Sequence, residues 1–416
     1  MKKVHQSLKR LVQDHDERAQ PIAFAGREDI ICAIQDAVDR MTEKLSGGGT
    51  EFKGAPGGTF VIHGPPGAGK TALVGEIVRR LNCPCLIYEE VPDENDVRDL
   101  WDELATILTG LPLDEIRGTR YRERYGAAGI SAIAKGEAGY KEGLTLDPLP
   151  ITSCKQIRSL SDTPFRTPVL VSIDEIQNIK PGSAANDLVR HLHTQGIAPV
   201  LLICTGLSNS REHLQNVGIS RLTLSRVIPL GGLAPDETRT ASRSALGVIA
   251  GAGVTGSEDA IGSLCAKLAD ASDNWPRHLT CYLQGVCQAL LDQESPSFGE
   301  LDEEDVLNRG HRLRQAYYED RLVASGLPAS TLASVYERVQ RNRVSRDECA
   351  GILINAIRSD ASEQGTILRE RFPSSDAIIN RALRSGVLTS DSKNDCEIPI
   401  PPFAAFVFER ARSEQV

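Results

Sequence analysis

Residues 64–71 read Gly64-Pro65-Pro66-Gly67-Ala68-Gly69-Lys70-Thr71 and satisfy G-x-x-x-x-G-K-[ST] at every fixed position. The chemistry explains the residue types. Glycines let a backbone turn tightly enough for several N–H groups to converge on phosphate oxygens. A helix beginning at Lys70 adds the positive end of its dipole. The Lys70 ammonium then reaches the β and γ phosphates, and the Thr71 hydroxyl is placed to ligate Mg2+. Further along, Val169-Leu170-Val171-Ser172-Ile173-Asp174-Glu175 is an apolar run that ejects an acid at its end. Parallel sheets bind ligands at that end of their strands. Asp174 would belong to the Mg2+ shell, and Glu175 would orient or deprotonate an attacking water. Alone, a Gly/Pro turn or an acidic strand end says little. Together, in strand context, they specify a nucleotide site with ATP and Mg2+ as the expected ligands.

These residues need a scaffold, and the pattern around them supplies one. TFVIH (59–63) is a short β-rich run before the glycine loop, and a helix over about 70–81 follows it. CLIYEEV (85–91), PVLVSID (168–174), APVLLICT (198–205) and VIPL (227–230) read as further buried strands. Helices are expected at 27–44, 97–108 and about 185–195. Strands alternating with helices imply a parallel sheet covered on both faces. After Gly231 the pattern turns wholly helical, with helices at 236–250, 257–270, 276–292 and 303–324. The last segment gives helices at 330–341, 345–357 and 374–385 and then a hairpin with a polar tip, the order of a winged-helix module. The expected fold class is α/β: a P-loop parallel-sheet core, a C-terminal helical lid, and a winged-helix domain. The expected boundaries are a helical arm at 1–25, the core at 26–230 with an insert at 112–166, the lid at 231–325 and the last domain at 326–416.

Bulk properties narrow the function classes. The 416 residues are enough for two or three domains. A net charge of −9 gives no global reason to expect nucleic-acid binding. No run of apolar residues is long enough to cross a membrane, and the charged N-terminus has no signal-like core. Ten cysteines without metal-like spacing, several of them in apolar runs, point to a reducing cytoplasm.

With these motifs in place, the chain resembles the AAA+ ATPases over about residues 20–325. Within them it is most similar to the branch of origin-recognition initiators, STAND switch proteins and transposon-encoded ATPase regulators. Phe24-Ala25-Gly26-Arg27-Glu28 resembles the F-x-G-R-E motif that lies near the adenine, which implies a nucleotide-binding role for Arg27. Thr205 stands where the family carries its sensor 1 residue; Asn209 is the alternative. Ser220-Arg221-Leu222 resembles the box whose arginine reaches a neighbouring subunit's ATP, with Arg226 as a competitor. Asn274-Trp275-Pro276-Arg277 resembles the G-x-P-R sensor 2 motif, with Asn-Trp in place of Gly-x and Pro276 and Arg277 in register. The resemblance implies slow Mg-dependent ATP hydrolysis, a homo-oligomer and a protein partner, with DNA as a further candidate and no membrane.

Two segments leave the function open. The insert combines Arg117, Arg120, Arg122, Arg124, Lys135 and Lys141 with Tyr121, Tyr125 and Tyr140, a composition able to grip phosphates and stack bases, or to form a solvated loop or subunit contact. The last segment clusters Arg338, Arg341, Arg343 and Arg346, yet its charges balance overall, whereas a DNA-reading module usually shows a basic face. Two readings therefore stand: an ATP-driven switch acting on DNA or a protein, and a non-enzymatic nucleic-acid-binding module that uses ATP only as a structural ligand.

Overall fold

The computed structural model describes residues 2–18, 21–46, 58–111, 157, 165, 167–195, 199–219, 226–390 and 394–414. The basic insert and the Ser220-Arg221-Leu222 box lie outside the described residues, apart from residues 157 and 165 of the insert. Helix α1 (Lys2–Arg18) and α2 (Glu28–Ser46) precede β1 (Thr59–His63), α3 (Lys70–Arg80), β2 (Cys85–Tyr88) and α4 (Glu94–Thr109). Then come β3 (Val169–Ile173), α5 (Ala184–Arg190), β4 (Val200–Gly206), α6 (Ser210–Asn216) and β5 (Val227–Pro229).

The five strands form one parallel sheet in the order β2-β3-β4-β1-β5. The side-chain period of two builds a core on each face. Phe60, Ile62, Leu170, Leu201 and Ile203 pack with Ile34 of α2 and Leu73 and Ile77 of α3. Val61, Val171, Ile173, Leu202 and Cys204 face the other way, onto Leu100, Trp101 and Leu104 of α4 and Leu188 of α5. The order has a functional consequence. β4 lies between β1 and β3, so its end stands between the glycine loop and Asp174.

Four helices follow: α7 (Pro235–Gly251), α8 (Glu258–Ala271), α9 (Pro276–Leu291) and α10 (Glu303–Ser325). They share a separate core that includes Leu246, Leu268, Leu283 and Val286. The amphipathic α1 closes this core with the fully buried Leu8. Helices α9 and α10 approach closely because a Cβ at Gly285 would lie 2.9 Å from the Val306 carbonyl oxygen, and one at Gly310 would lie 2.1 Å from the Tyr282 ring.

The C-terminal module comprises α11 (Ala329–Arg341), α12 (Arg346–Ser359), α13 (Glu363–Arg371), α14 (Ser375–Ser385), the antiparallel pair β6 (Thr389–Ser390) and β7 (Cys396–Glu397), and α15 (Pro401–Ser413). Two of these helices differ from expectation. α13 buries only Gly365 and Leu368, so it carries almost no periodic signal. α15 opens on Pro401-Pro402, which read as breakers, although proline is well tolerated in a first helical turn. The module packs on α10 through Tyr318, whose ring centroid lies 5.3 Å from Phe403 and 5.4 Å from Phe406.

Candidate nucleotide-binding site

The glycine loop takes the shape its residue types allow. Gly67 and Gly69 have φ of 77° and 88°, where L side chains are strained. Gly69 is the N-cap of α3 and offers no side-chain cap, so the first amides of that helix remain available to an anion. Lys70 is buried, and its Nζ donates to the Gly64 and Pro65 carbonyls at 3.0 and 3.1 Å. Burial lowers its pKa, while the nearby Asp174 and Glu175 carboxylates oppose that shift. An arriving phosphate would exchange these neutral carbonyl partners for charged ones.

Beside the loop, three elements meet at one carboxylate. The Thr71 hydroxyl donates to Asp174 Oδ2 at 2.7 Å, and the Glu175 amide donates to Oδ1 at 2.7 Å. The fully buried Thr205, at the end of β4, donates to the same Oδ1. The alternative residue, Asn209, is not bonded to Asp174, and its Oδ1 has no hydrogen-bond partner among the described residues. One carboxylate and one hydroxyl in contact make a donor set suited to Mg2+, which binds few protein oxygens and completes its octahedron with water and phosphate. Among the described residues no cluster of three or more His, Cys, Asp or Glu offers a denser cage.

Glu175 occupies the left-handed region at φ 55°, which turns its side chain out of the strand direction. Its carboxylate accepts from Gln177 Nε2, and Gln177 Oε1 accepts the Leu207 amide at 3.0 Å. Gln177 thus ties the end of β3 to the turn after β4. This link was not anticipated, because it depends on β3 and β4 being neighbours.

The lid lies directly on the loop. Pro276 opens α9, and the Arg277 amide donates to the Gly67 carbonyl at 3.2 Å. Asn274 has φ 56°, so an asparagine takes the left-handed position where glycine would be the usual choice. The Arg277 guanidinium lies 5.8 Å from the Tyr317 ring centroid, and Tyr317 Oη donates to the Pro66 carbonyl at 3.1 Å. A Cβ at Gly67 would come within 2.8 Å of both Arg277 Cβ and Tyr317 Oη, so this contact requires glycine.

Between core and lid is a cavity of about 560 Å3. Its apolar lining, with Phe24, Leu230, Leu233, Leu279 and Leu283, suits a base. Its polar lining includes Gly67 to Thr71, Arg277 and Glu175. Arg27 lines the cavity, and its Nη2 is held by the Gly231 and Gly232 carbonyls at 2.7 and 2.8 Å. Arg226 lies 5.3 Å from the Phe60 ring centroid. Arg321, Arg381 and Arg384 also line the cavity, and no sequence motif singled them out.

Residues 55–209 match the family described as "AAA domain". No curated protein matches the chain. Among solved structures, it is similar to the ORC2 protein of Aeropyrum pernix, with 13% identity, 98% of each chain covered and a TM-score of 0.49. It is also similar to a Walker-type ATPase of Pyrococcus abyssi (13% identity, 92% of this chain and 97% of that chain, TM-score 0.45). A third similar structure is RuvB of Thermotoga maritima (14% identity, 92% of this chain and 95% of that chain, TM-score 0.42). Among the described residues no helix is long and apolar enough to cross a membrane.

Proposed function

As residues 55–209 match the AAA domain family, we propose that the chain is an AAA+ P-loop ATPase, an ATP-binding and ATP-hydrolysing switch that changes conformation or oligomeric state with the bound nucleotide. The observation that carries this reading is the meeting of Thr71, Asp174 and Thr205 beside Lys70, under a lid that delivers Arg277 to the same loop. The base lies against the apolar lining of the cavity, and the backbone of Gly64, Pro65, Pro66, Gly67, Ala68 and Gly69 wraps the phosphates. Lys70 leaves its carbonyl partners to neutralise the β and γ phosphates. Thr71 and Asp174 would hold Mg2+, which would supply charge neutralisation at the phosphates. Glu175 receives a proton from the attacking water, and Gln177 orients its carboxylate. Thr205 fixes the geometry of Asp174, and Arg277 reports on the phosphates to the lid.

The composite site is completed by Arg221 of a neighbouring copy, so turnover is slow in the isolated chain. A head-to-tail contact of this kind builds a ring or a filament. The output is an action on a protein partner or on DNA, the latter through a C-terminal module with winged-helix order. Lys70→Ala tests the whole reading: ATP binding should be lost, and retained micromolar affinity would remove the glycine loop from nucleotide binding. One feature favours the second reading, in which ATP is a structural ligand. The Glu175 carboxylate is already engaged by Gln177 in this conformation. Full biological activity in a Glu175→Gln variant would decide for it.

A further inference from the structure

We infer that α10 and the C-terminal module supply a second cationic wall of the nucleotide site, in which Arg321 of α10 and Arg384 of α14 bind the β phosphate, and that the Arg384 contact holds the module on the core. The inference rests on the ATP reading above and extends it to residues that no motif assigns.

The wall is in contact with the glycine loop. Gly386, the C-cap of α14, has φ 72°, and a Cβ there would lie 2.4 Å from Pro66 Cγ. One helix away, Tyr317 of α10 holds the Pro66 carbonyl. Arg321 follows Tyr317 by one helical turn, with its guanidinium 5.8 Å from that ring. It stands close enough to Lys70 to contribute to the lowering of the lysine pKa, behind burial and against Asp174 and Glu175.

Charge makes the assignment. The arginines lining the cavity differ in what already holds them. Arg27 is held by backbone carbonyls, and Arg381 donates to the Ser325 carbonyl at 3.1 Å and to that of Ala324. Arg321 and Arg384 have no ion pair among the described residues, and Arg321 Nε is buried there without a hydrogen-bond partner. Among the described residues Glu175 is the one acid lining the cavity, where Gln177 engages it, and the adjacent Asp174 is taken up by Thr71 and Thr205. Cations that converge with so little counter-charge repel one another until an anion enters. Guanidinium groups bind phosphate oxygens in a planar, bidentate manner. Arg321 acts on Lys70, and the end of α14 abuts Pro66, so these arginines meet the phosphate end of the ligand and leave the base slot alone.

The test uses the full chain, with AMP, ADP and ATP titrated calorimetrically into wild type, Lys70→Ala, and the double variant Arg321→Gln/Arg384→Gln. Amide exchange over 375–390 is read with and without ADP. The expected result is ADP and ATP affinity weakened about tenfold or more in the double variant, with AMP affinity unchanged. ADP should slow exchange over 375–390 in wild type and not in the double variant. Arg384→Lys should recover part of the loss. If wild type binds ADP and Lys70→Ala does not, while the double variant matches wild type in affinity and exchange, this inference falls and the ATP reading stands. If wild type binds no nucleotide, both fall. Arg384 is exposed, so its replacement leaves the folded module intact, and an unchanged melting curve checks this.

Discussion

Replacing Asp174 by asparagine separates metal binding from folding. The carboxylate accepts from Thr71 at 2.7 Å, from the Glu175 amide at 2.7 Å and from Thr205. The one oxygen of asparagine can serve Thr205 and the Glu175 amide, while its NH2 group faces Thr71, whose hydroxyl turns to accept. No partner is orphaned, and only the charge assistance is lost, at about 1 kcal/mol per bond. The expected destabilisation is about 1–3 kcal/mol, which leaves the chain folded. The metal effect is larger. The amide oxygen carries no charge, and among the described residues no other carboxylate touches the Thr71 hydroxyl. Mg2+ affinity in the ATP complex should fall by about 10–100-fold or more. The assay is ATP affinity measured in EDTA and then over a Mg2+ series, with thermal unfolding as the control. Wild type and Asp174→Asn should agree in EDTA and diverge as Mg2+ is added. A wild-type Mg2+ gain in the folded variant would remove Asp174 from the metal shell. Equal loss of ATP binding in EDTA would mean that the loop itself had been disturbed.

Glu175→Gln should bind ATP as wild type does and lose about 10²–10⁴-fold in turnover; normal turnover would exclude Glu175 as the base. Arg221→Ala should bind ATP and fail to hydrolyse it, and mixing it with Glu175→Gln protein should restore activity by pairing an intact base with an intact arginine. No rescue in mixtures that co-assemble would count against a site shared between subunits. His278 supplies a pH dependence. Burial, with a smaller contribution from Arg314, depresses its pKa to about 4, and it is bonded to Tyr318 Oη and the Ser272 carbonyl. The unfolded chain takes up a proton below about pH 6.5 that the folded lid takes up only near pH 4. The associated stability is therefore fully present above about pH 6.5 and falls by about 3 kcal/mol as the pH drops toward 4. Chemical unfolding of wild type and His278→Gln between pH 7 and pH 4.5 measures it, and identical slopes would assign the dependence to other groups.

Most of the sheet, the glycine loop and the acid at the end of β3 were legible because their signals are local. The glycine loop is fixed by spacing within eight residues, and Asp174 by the apolar strand that ends at it. Every strand of the sheet is a short apolar run, and its bounds follow from that run to within a few residues. The links across the chain were not legible. Gln177 matters because Leu207, distant in sequence, lies on the neighbouring strand. Tyr317 and Arg321 belong to a long, charged helix whose face toward the loop has no periodic signature. Arg384 reaches the cavity only because the C-terminal module docks against α10. In each case the chemistry depends on tertiary placement, which residue type and spacing do not encode.

That docking also bears on the choice between partners. In a helix–helix–helix–hairpin module, α14 is the helix expected to enter a DNA groove. Here three of its polar side chains are turned to the rest of the protein. Asn380 accepts from Arg346 at 2.6 Å, Arg346 lies 3.6 Å from Glu212 of the core, Arg381 holds carbonyls at the end of α10, and Arg384 lines the nucleotide cavity. A guanidinium bound to a nucleotide phosphate cannot also bind a phosphate of a duplex. If this module contacts DNA through α14, it must first leave the core, and a nucleotide contact made by Arg384 opposes that departure. The strength of that contact then sets how far nucleotide release shifts the module between its two positions, since a ligand moves such an equilibrium only by its difference in affinity for the two states.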